Sequence, residues 1–426
     1  MYRAFNYTTT GASHILSRKV CQDASASLET DKYKLIVVSD GHGSSDCFRS
    51  DRGSKFAVEA FCKCAEEAFK CPEESEEDDD INADEESDTD KDTDSDPSYD
   101  DDFPRNFAEI LGVCKTQKQI DDQLRRFMGS IVTKWNARVD EDIAEYPFTD
   151  DELADVSDIA KKSFEYKVNL RTVYGATLIG IILTDDFWFG IHIGDGKCVT
   201  FNQNGEDHEP IPWDDQCFMN VTTSICDPYA ISDFRSYFSR ELPTAVFIGS
   251  DGIDGSFANQ KYHHDFYRII ISSFAEADIE SAVDELESYL PELSAHGSGD
   301  DVSVACILDI DHIRENPELY EIRKAPFIKI IRVGNLGAAD LSDDYLQKNE
   351  IEAYAGTVRL DMVGCRGFNK GIMKFDILDV QDDLITISFN GNECEISPTE
   401  RAEIVTKDLV DGIAQFDTIL LQYIKK

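Results

Sequence analysis

The sequence lacks any long run of apolar residues. None of its hydrophobic stretches approaches the roughly 20 residues that a membrane-spanning helix needs. The opening residues, Met1 to Tyr7, also lack the apolar block of a secretion signal. We therefore expect a soluble, cytoplasmic protein without a membrane partner.

Positive charge is scarce as well. The 426 residues include 41 Lys and Arg against 85 Asp and Glu, so the formal net charge is −44 at pH 7. Such a surface disfavours binding to nucleic acid. Residues 73–102 alone hold 18 acidic residues and one lysine. With so few apolar side chains to offset the entropy of ordering, we predict a disordered acidic insertion over residues 72–104.

Paired cysteines at the spacing of a zinc finger are missing too. The 12 cysteines are scattered, and several lie in apolar runs, which is typical of reduced, buried thiols. The chain is nevertheless rich enough in apolar residues, at 41%, to form a large core.

One short stretch combines a strand pattern with chemically active side chains. Residues 35–38, Leu-Ile-Val-Val, predict a buried strand, and Asp40-Gly41-His42-Gly43 follows directly. Glycines on each side of His42 permit a tight bend, and Asp40 supplies a hard oxygen ligand. Taken alone, this pattern is more typical of an ordinary turn at the end of a strand.

The same pattern recurs at other predicted strand boundaries. Asp195 and Asp251 follow apolar runs, Asp301 precedes one, and Asp23 lies before another. Carboxylates together with a backbone carbonyl and waters form an all-oxygen site that suits Mg²⁺ or Mn²⁺. We expect two such ions to share Asp40 and to activate a water for attack on phosphorus, with His42 protonating the departing oxygen and Arg18 binding phosphate.

These motifs together resemble the PPM-type (type 2C) metal-dependent serine/threonine protein phosphatases, with a similarity to bacterial members. The resemblance spans about residues 10 to 310. It depends on seven motifs in order: Arg18 with Gln22-Asp23-Ala24, Asp40-Gly41-His42-Gly43, Gly175-Ala176-Thr177, Gly194-Asp195-Gly196, Asp207-His208-Glu209-Pro210, Ser250-Asp251-Gly252-Ile253 and Gly299-Asp300-Asp301-Val302-Ser303-Val304.

The resemblance implies a role for each matching residue. Asp40 bridges two metal ions, the Gly41 carbonyl binds one of them, and Asp251 and Asp301 complete the pair. Arg18 holds the phosphate and His42 is the acid. Two further carboxylates have outer roles: Asp23 lies behind the metal ligands, and Asp195 is the ligand of a possible third ion.

Two departures from the family pattern affect this assignment. Gln22 stands where many relatives have Glu, which alters one water-mediated metal contact. Gly255 stands where the family usually has Asp, with Asp254 one position early, so a third ion at Asp195 stays an open alternative.

The expected fold class is α+β: a four-layer α/β/β/α sandwich of two mainly antiparallel sheets flanked by helices, plus a small C-terminal α+β domain. We assign residues 1–312 to the phosphatase domain and residues 313–426 to a C-terminal domain of unknown role. In the latter, four strands are predicted, and residues 400–425 are expected to be largely helical.

The favoured function is therefore Mg²⁺- or Mn²⁺-dependent hydrolysis of phosphoserine and phosphothreonine in proteins. The substrate would be a phosphorylated protein, with a counteracting serine/threonine kinase, and a basic substrate is the hypothesis that the acidic insertion suggests. The alternative is a catalytically weak phosphatase fold that acts as a sensor or binding module through its C-terminal domain.

Overall fold

A computed structural model of the chain gives two compact units, Met1–Glu321 and Ile322–Lys426. The structure describes residues 1–70, 106–217 and 221–321 of the first unit, and Ile322 at the start of the second. In the rest of the second unit it describes residues 327–334, 350–352, 356–361, 372–381, 384–389, 392–397, 401–405 and 418–424.

The first unit alternates strands with helices. Its strands are β1 (Tyr2–Thr9), β2 (Ala24–Glu29), β3 (Lys34–Ser39), β4 (Leu178–Leu183), β5 (Trp188–Ile193), β6 (Lys197–Phe201), β7 (Asp207–His208), β8 (Arg235–Ser239), β9 (Ala245–Gly249) and β10 (Val302–Asp309). Its α-helices are α1 (Ala12–Ser17), α2 (Ser50–Phe69), α3 (Phe107–Val113), α4 (Gln117–Glu145), α5 (Asp158–Glu165), α6 (Ala230–Asp233), α7 (Asp251–Asp254), α8 (Gln260–Glu276), α9 (Ile279–His296) and α10 (Ile310–Glu315).

These strands form two five-stranded sheets. One has the order β1-β10-β9-β6-β7 and the other the order β2-β3-β4-β5-β8. Their neighbouring strands pair antiparallel, with β3, for example, pairing Val38 with Ile179 of β4. The predicted sandwich of two antiparallel sheets flanked by helices is confirmed.

Strand β3 is continuously apolar from Leu35 to Val38 because both of its faces are buried. Leu35 and Val37 lie in the core beneath the helices α2 and α4, whereas Ile36 and Val38 lie in the core between the two sheets. A strand that is buried on both faces has no polar side to alternate with. The run therefore reports a central position in the sandwich.

Helices cover the outer face of each sheet. The first core joins α2 and α4 to β3, β4 and β5, and it includes the fully buried Trp135 and Phe61. The second core joins α8 and α9 to β9 and β10, and it includes Tyr267 and Phe274. At the start of α4, Thr116 and Gln119 form a reciprocal capping box, which fixes the first residue of that long helix.

Apolar residues at helical spacing predict helices over residues 51–70, 118–145 and 279–290, which correspond to α2, α4 and α9, but the sequence pattern does not predict α8. Phe266, Ile270, Ile271 and Phe274 recur at helical spacing and are all buried. Two adjacent histidines, His263 and His264, interrupt the apolar pattern at the start of this helix, although both are also buried.

The described part of the second unit consists of strands in two four-stranded sheets. They are β11 (Phe327–Gly334), β12 (Glu350–Glu352), β13 (Gly356–Asp361), β14 (Ile372–Gln381), β15 (Leu384–Phe389), β16 (Asn392–Ile396), β17 (Arg401–Val405) and β18 (Thr418–Ile424), in the orders β12-β11-β18-β17 and β13-β14-β15-β16. The four strands that the sequence predicts, over residues 327–333, 356–363, 372–377 and 384–389, correspond to β11, β13, β14 and β15.

The helix expected over residues 400–425 is wrong at the residues described. Arg401–Val405 and Thr418–Ile424 are strands, and they pair with each other antiparallel. Thr418–Ile424 is a short, mainly apolar run and Arg401–Val405 is shorter still, and helical and strand patterns are hard to separate in segments of this length. The strand at Thr418–Ile424 also pairs with β11, which is distant in sequence.

The acidic insertion predicted over residues 72–104 lies outside the described residues. So does the hairpin turn that the dipeptide Asn390-Gly391 predicts. Among the helices that the structure does describe, none is long and apolar enough to cross a bilayer.

Candidate metal centre and active site

Four predicted strand boundaries meet at one cleft of about 680 Å³. Asp40 follows β3, Asp195 lies in the turn between β5 and β6, and Asp251 opens α7 directly after β9. Asp301 precedes β10, and its neighbour Asp300 lines the same cleft. The cleft is thus built at the ends of strands from both sheets, as the sequence predicts.

Three of these carboxylates converge. One oxygen from each of Asp40, Asp195 and Asp251 lies within 4.8 Å of the other two. Burial, reinforced by the charges of Asp23, Asp251 and Asp195, raises the pKa of Asp40 well above its usual range. Burial and the charge of Asp195 raise the pKa of Asp251 to about 6. Such crowding of hard anionic oxygens fits a divalent cation of the Mg²⁺ or Mn²⁺ type, which would offset the repulsion.

Backbone contacts hold two of these aspartates in place. The backbone N–H of Asp40 donates to Thr177 Oγ1 at 3.0 Å, and the N–H of Thr177 donates to the Asp40 carbonyl at 2.8 Å. Gly194 has φ of +113°, and a Cβ there would lie 2.5 Å from Thr177 Cβ. Only glycine suits both the left-handed backbone and the close approach. The turn that carries Asp195 is therefore fixed against the strand end that carries Asp40.

Asp301 lies in a second group, together with His14 and Asp300. Its carboxylate oxygens each accept a backbone N–H at 2.6 Å, one from Gly11 and one from Gln22. His14 Nδ1 lies 2.9 Å from Asp301 Oδ1. Asp301 thus lines the same cleft, but it belongs to a different group from Asp40, Asp195 and Asp251.

Asp23 lies behind both groups. It is buried, and within the described part of the chain neither carboxylate oxygen has a hydrogen-bond partner of normal geometry. Burial raises the pKa of Asp23 to about 7, although the nearby hydroxyls of Ser250 and Ser303 limit the rise. This position beside Asp40 fits the outer role that the sequence predicts for Asp23.

His42 lines the cleft next to Asp40. Its backbone N–H donates to the Gly175 carbonyl at 3.1 Å. A Cβ at Gly175 would lie 2.6 Å from His42 Cδ2, so the ring packs closely on this glycine. Burial lowers the pKa of His42, and the charges of Asp195 and Asp227 oppose that shift.

The two basic residues near the cleft are placed differently. Arg18 ends α1 in the left-handed conformation, is exposed, and is not among the described residues that line the cleft. Lys19, the next residue, does line it. The structure therefore places a different cation at the cleft from the one that the sequence predicts.

The two departures from the family pattern also have defined surroundings. Gln22 Nε2 donates to Ser50 Oγ at 2.6 Å, while Gln22 Oε1 is buried without a partner among the described residues. This oxygen remains able to accept a hydrogen bond. Asp254 does not line the cleft, and its carboxylate lies 3.4 Å from His263 Nδ1. Asp254 therefore does not take the place of the missing carboxylate at Gly255.

Several residues of the cleft were not found from the sequence. His14, Lys19 and Thr222 line it, and Thr222 donates a hydrogen bond to Asp195. Isolated polar residues in loops and short helices give no periodic signal. The sequence motif predicts a metal ligand at Asp301 and no separate role for its neighbour Asp300.

Comparison with known proteins agrees with these features. Residues 10–291 match the family model for protein phosphatase 2C. No curated protein sequence matches the chain.

Similar solved structures include the serine/threonine phosphatase Stp1 from Staphylococcus aureus, at 15% identity and a TM-score of 0.42, covering 72% of this chain and 95% of that one. PppA of Pseudomonas aeruginosa, described as a key regulatory component of T6SS, has 14% identity, a TM-score of 0.39 and coverage of 72% and 97%. A sex-determining protein of C. elegans has 13% identity, a TM-score of 0.42 and coverage of 75% and 67%. The match over residues 10–291 confirms the family that the motifs indicate, and the chain belongs to the protein phosphatase 2C family.

Proposed function

We propose that this protein hydrolyses phosphoserine and phosphothreonine in proteins with the help of bound Mg²⁺ or Mn²⁺. The observation that carries the proposal is the convergence of Asp40, Asp195 and Asp251 within 4.8 Å in a cleft at the strand ends. Membership of the protein phosphatase 2C family supports phosphatase activity in general. The metal, the number of ions and the amino acid that carries the phosphate are parts of the proposal.

The cation ligands would be Asp40, Asp195 and Asp251, with the Gly41 carbonyl beside them. Asp301 would help to bind a cation in the adjoining group, together with Asp300 and His14. A divalent cation there would supply an activated water and positive charge next to the phosphoryl group. Asp23, as a buried carboxylate next to Asp40, would increase the affinity of the centre for cations once it is ionised.

The remaining roles belong to side chains of this chain. His42 would donate a proton to the departing serine or threonine oxygen, because it lines the cleft and lies directly beside Asp40. Lys19 lines the cleft and would bind phosphate oxygens as a point charge. Arg18 would reach the phosphate only through a change of its exposed side chain, so its predicted role stays a proposal.

The substrate class follows from charge. We propose that a phosphorylated protein with basic flanking residues is the substrate, since the acidic segment over residues 73–102 lies within the phosphatase domain, residues 1–312. A serine/threonine kinase would supply that substrate by phosphoryl transfer. The cytoplasmic location expected from the sequence stays a prediction.

The test is phosphate release from a phosphothreonine peptide by the purified full-length chain. We expect release with added Mn²⁺ and none in EDTA. If the folded, Mn²⁺-loaded protein releases no phosphate from serine or threonine peptides, the enzymatic proposal is wrong. The alternative is then favoured, in which a phosphatase fold acts as a sensor or binding module through residues 313–426.

A further inference from the structure

A second group of metal-binding side chains lies outside the cleft. A ring nitrogen of His263, a ring nitrogen of His264 and a carboxylate oxygen of Glu209 all lie within 4.8 Å of one another. The histidines are in the first turns of α8, and Glu209 directly follows β7. None of the three lines the cleft that holds Asp40.

His263 is the unusual member of this group. Its side chain is 0% exposed, and neither ring nitrogen has a hydrogen-bond partner among the residues that the structure describes. A buried polar atom without a partner is destabilising, and an imidazole nitrogen can gain a partner by binding a metal ion.

His264 is oriented as a metal-binding histidine would be. Its Nδ1 lies 2.6 Å from Asp207 Oδ2, and its Nε2 faces Glu209 Oε1 at 3.3 Å. Asp207 is itself held by the guanidinium of Arg268. A carboxylate that holds one ring nitrogen while the other faces the centre is the usual support of a histidine ligand.

Further charged groups surround the centre. Asp254 Oδ1 lies 3.4 Å from His263 Nδ1 and offers a fourth donor. Lys197 Nζ lies 3.6 Å from Glu209 Oε2 and opposes a cation. The centre therefore has three carboxylates around it, those of Asp207, Glu209 and Asp254, and two fixed cations, Lys197 and Arg268.

We propose that His263, His264 and Glu209 bind one divalent transition-metal ion of the zinc class. Two imidazoles and a carboxylate suit Zn²⁺, whereas Mg²⁺ prefers oxygen ligands alone. Bonds of about 2.1 Å in a tetrahedral site place ligand atoms about 3.4 Å apart, close to the 3.3 Å between His264 Nε2 and Glu209 Oε1. The ion would join the segment after β7 to the start of α8, a structural role independent of catalysis.

The experiment is a titration of the metal-stripped, full-length chain with Zn²⁺ and, separately, Co²⁺. Asp40→Asn and Asp251→Asn are introduced together to suppress binding in the cleft. In that background we expect one equivalent of Zn²⁺ to bind and to raise the melting temperature, and Co²⁺ to give the visible absorption of a tetrahedral site. His263→Ala should abolish all three signals, and Glu209→Gln should weaken binding at least tenfold. His296→Ala, at an exposed histidine of α9, is the matched control and should change nothing.

Far-UV circular dichroism shows whether each variant folds. If His263→Ala does not fold, Glu209→Gln decides the outcome, because that side chain is partly exposed and the substitution preserves its shape. The proposal is overturned if the background variant binds no Zn²⁺, or if it binds the same amount as folded His263→Ala or Glu209→Gln with equal affinity. The group would then be a protonated histidine held between carboxylates.

Discussion

Gly175→Ala tests whether His42 must be held in place to act as a proton donor. Gly175 has φ of −51° and ψ of 131°, which alanine adopts without strain. Its added Cβ would lie 2.6 Å from His42 Cδ2, whereas carbon atoms in ordinary contact are about 3.5–4.0 Å apart. The His42 ring must therefore move by about an ångström, and nothing in the converging carboxylates needs to change.

The size of the effect follows from the proposed role. General acid catalysis typically contributes about 10²–10⁴-fold, and a displacement of about an ångström can cost on the order of 10². We expect kcat on a phosphothreonine peptide to fall about 30- to 100-fold. With p-nitrophenyl phosphate, whose leaving group departs without a proton, kcat should fall less than about threefold, because the proton donor then contributes little.

The assay compares four proteins on both substrates: wild type, Gly175→Ala, His42→Ala and the double variant. If the alanine acts through His42, the double variant is no slower than His42→Ala alone. Equal losses on the two substrates, or losses that multiply in the double variant, would refute the reasoning. The Mn²⁺ dependence should be unchanged in Gly175→Ala.

Three other predictions concern stability and substrate choice. Asp142→Asn removes a buried charge that pairs with the buried Arg49. We expect the free energy of unfolding in urea to fall by about 3 kcal/mol. The control, Asp140→Asn on the exposed face of the same helix, should cost less than about 1 kcal/mol. Burial opposes the charge of His264, but hydrogen bonds to Asp207 and Glu209 outweigh it and raise the pKa to about 9 from 6.5. In metal-free protein, the stability that this histidine gives is therefore full below pH 6.5 and is lost as the pH rises through 9, so the melting temperatures of wild type and His264→Gln should converge at alkaline pH. Deletion of residues 73–102 should lower kcat/KM on basic phosphopeptides and leave neutral ones unchanged.

Each of these has a result that contradicts it. Equal urea midpoints for Asp142→Asn and Asp140→Asn would show that the buried network contributes little. A melting difference at His264 that grows with alkaline pH would have the wrong sign. If the deletion variant keeps the wild-type kcat/KM on basic phosphopeptides, recruitment by the acidic segment is excluded.

The sequence predicted most of the sandwich because local patterns determine it. Leu35 to Val38 is apolar at every position, and burial on both sheet faces accounts for that. The aspartates at strand ends were found for a similar reason, since each follows or precedes such a run. Their convergence could be expected only from the family resemblance, because strands of two different sheets bring them together.

Contacts between distant segments explain what the sequence did not predict. Lys19 lines the cleft and Arg18 does not. The short helix α1 ends at Arg18 in the left-handed conformation, and the spacing of apolar residues does not predict where such a residue falls. Asp301 turns toward the backbone of Gly11 and Gln22, more than 270 residues away in the chain. The strand at residues 418–424 pairs with the neighbouring strand at 401–405 and also with the much earlier strand at 327–334, a long-range contact that its own short sequence does not indicate.

The central claim is that the converging carboxylates bind a cation on which catalysis depends. The most direct measurement is the Mn²⁺ concentration for half-maximal phosphate release from a phosphothreonine peptide in wild type, Asp251→Asn and Asp185→Asn. Asp185 is an exposed hairpin residue and serves as the matched control. We predict that Asp251→Asn requires at least tenfold more Mn²⁺ or shows no release, while Asp185→Asn behaves as wild type. Equal Mn²⁺ requirements in all three proteins, or phosphate release that persists in EDTA, would contradict the account.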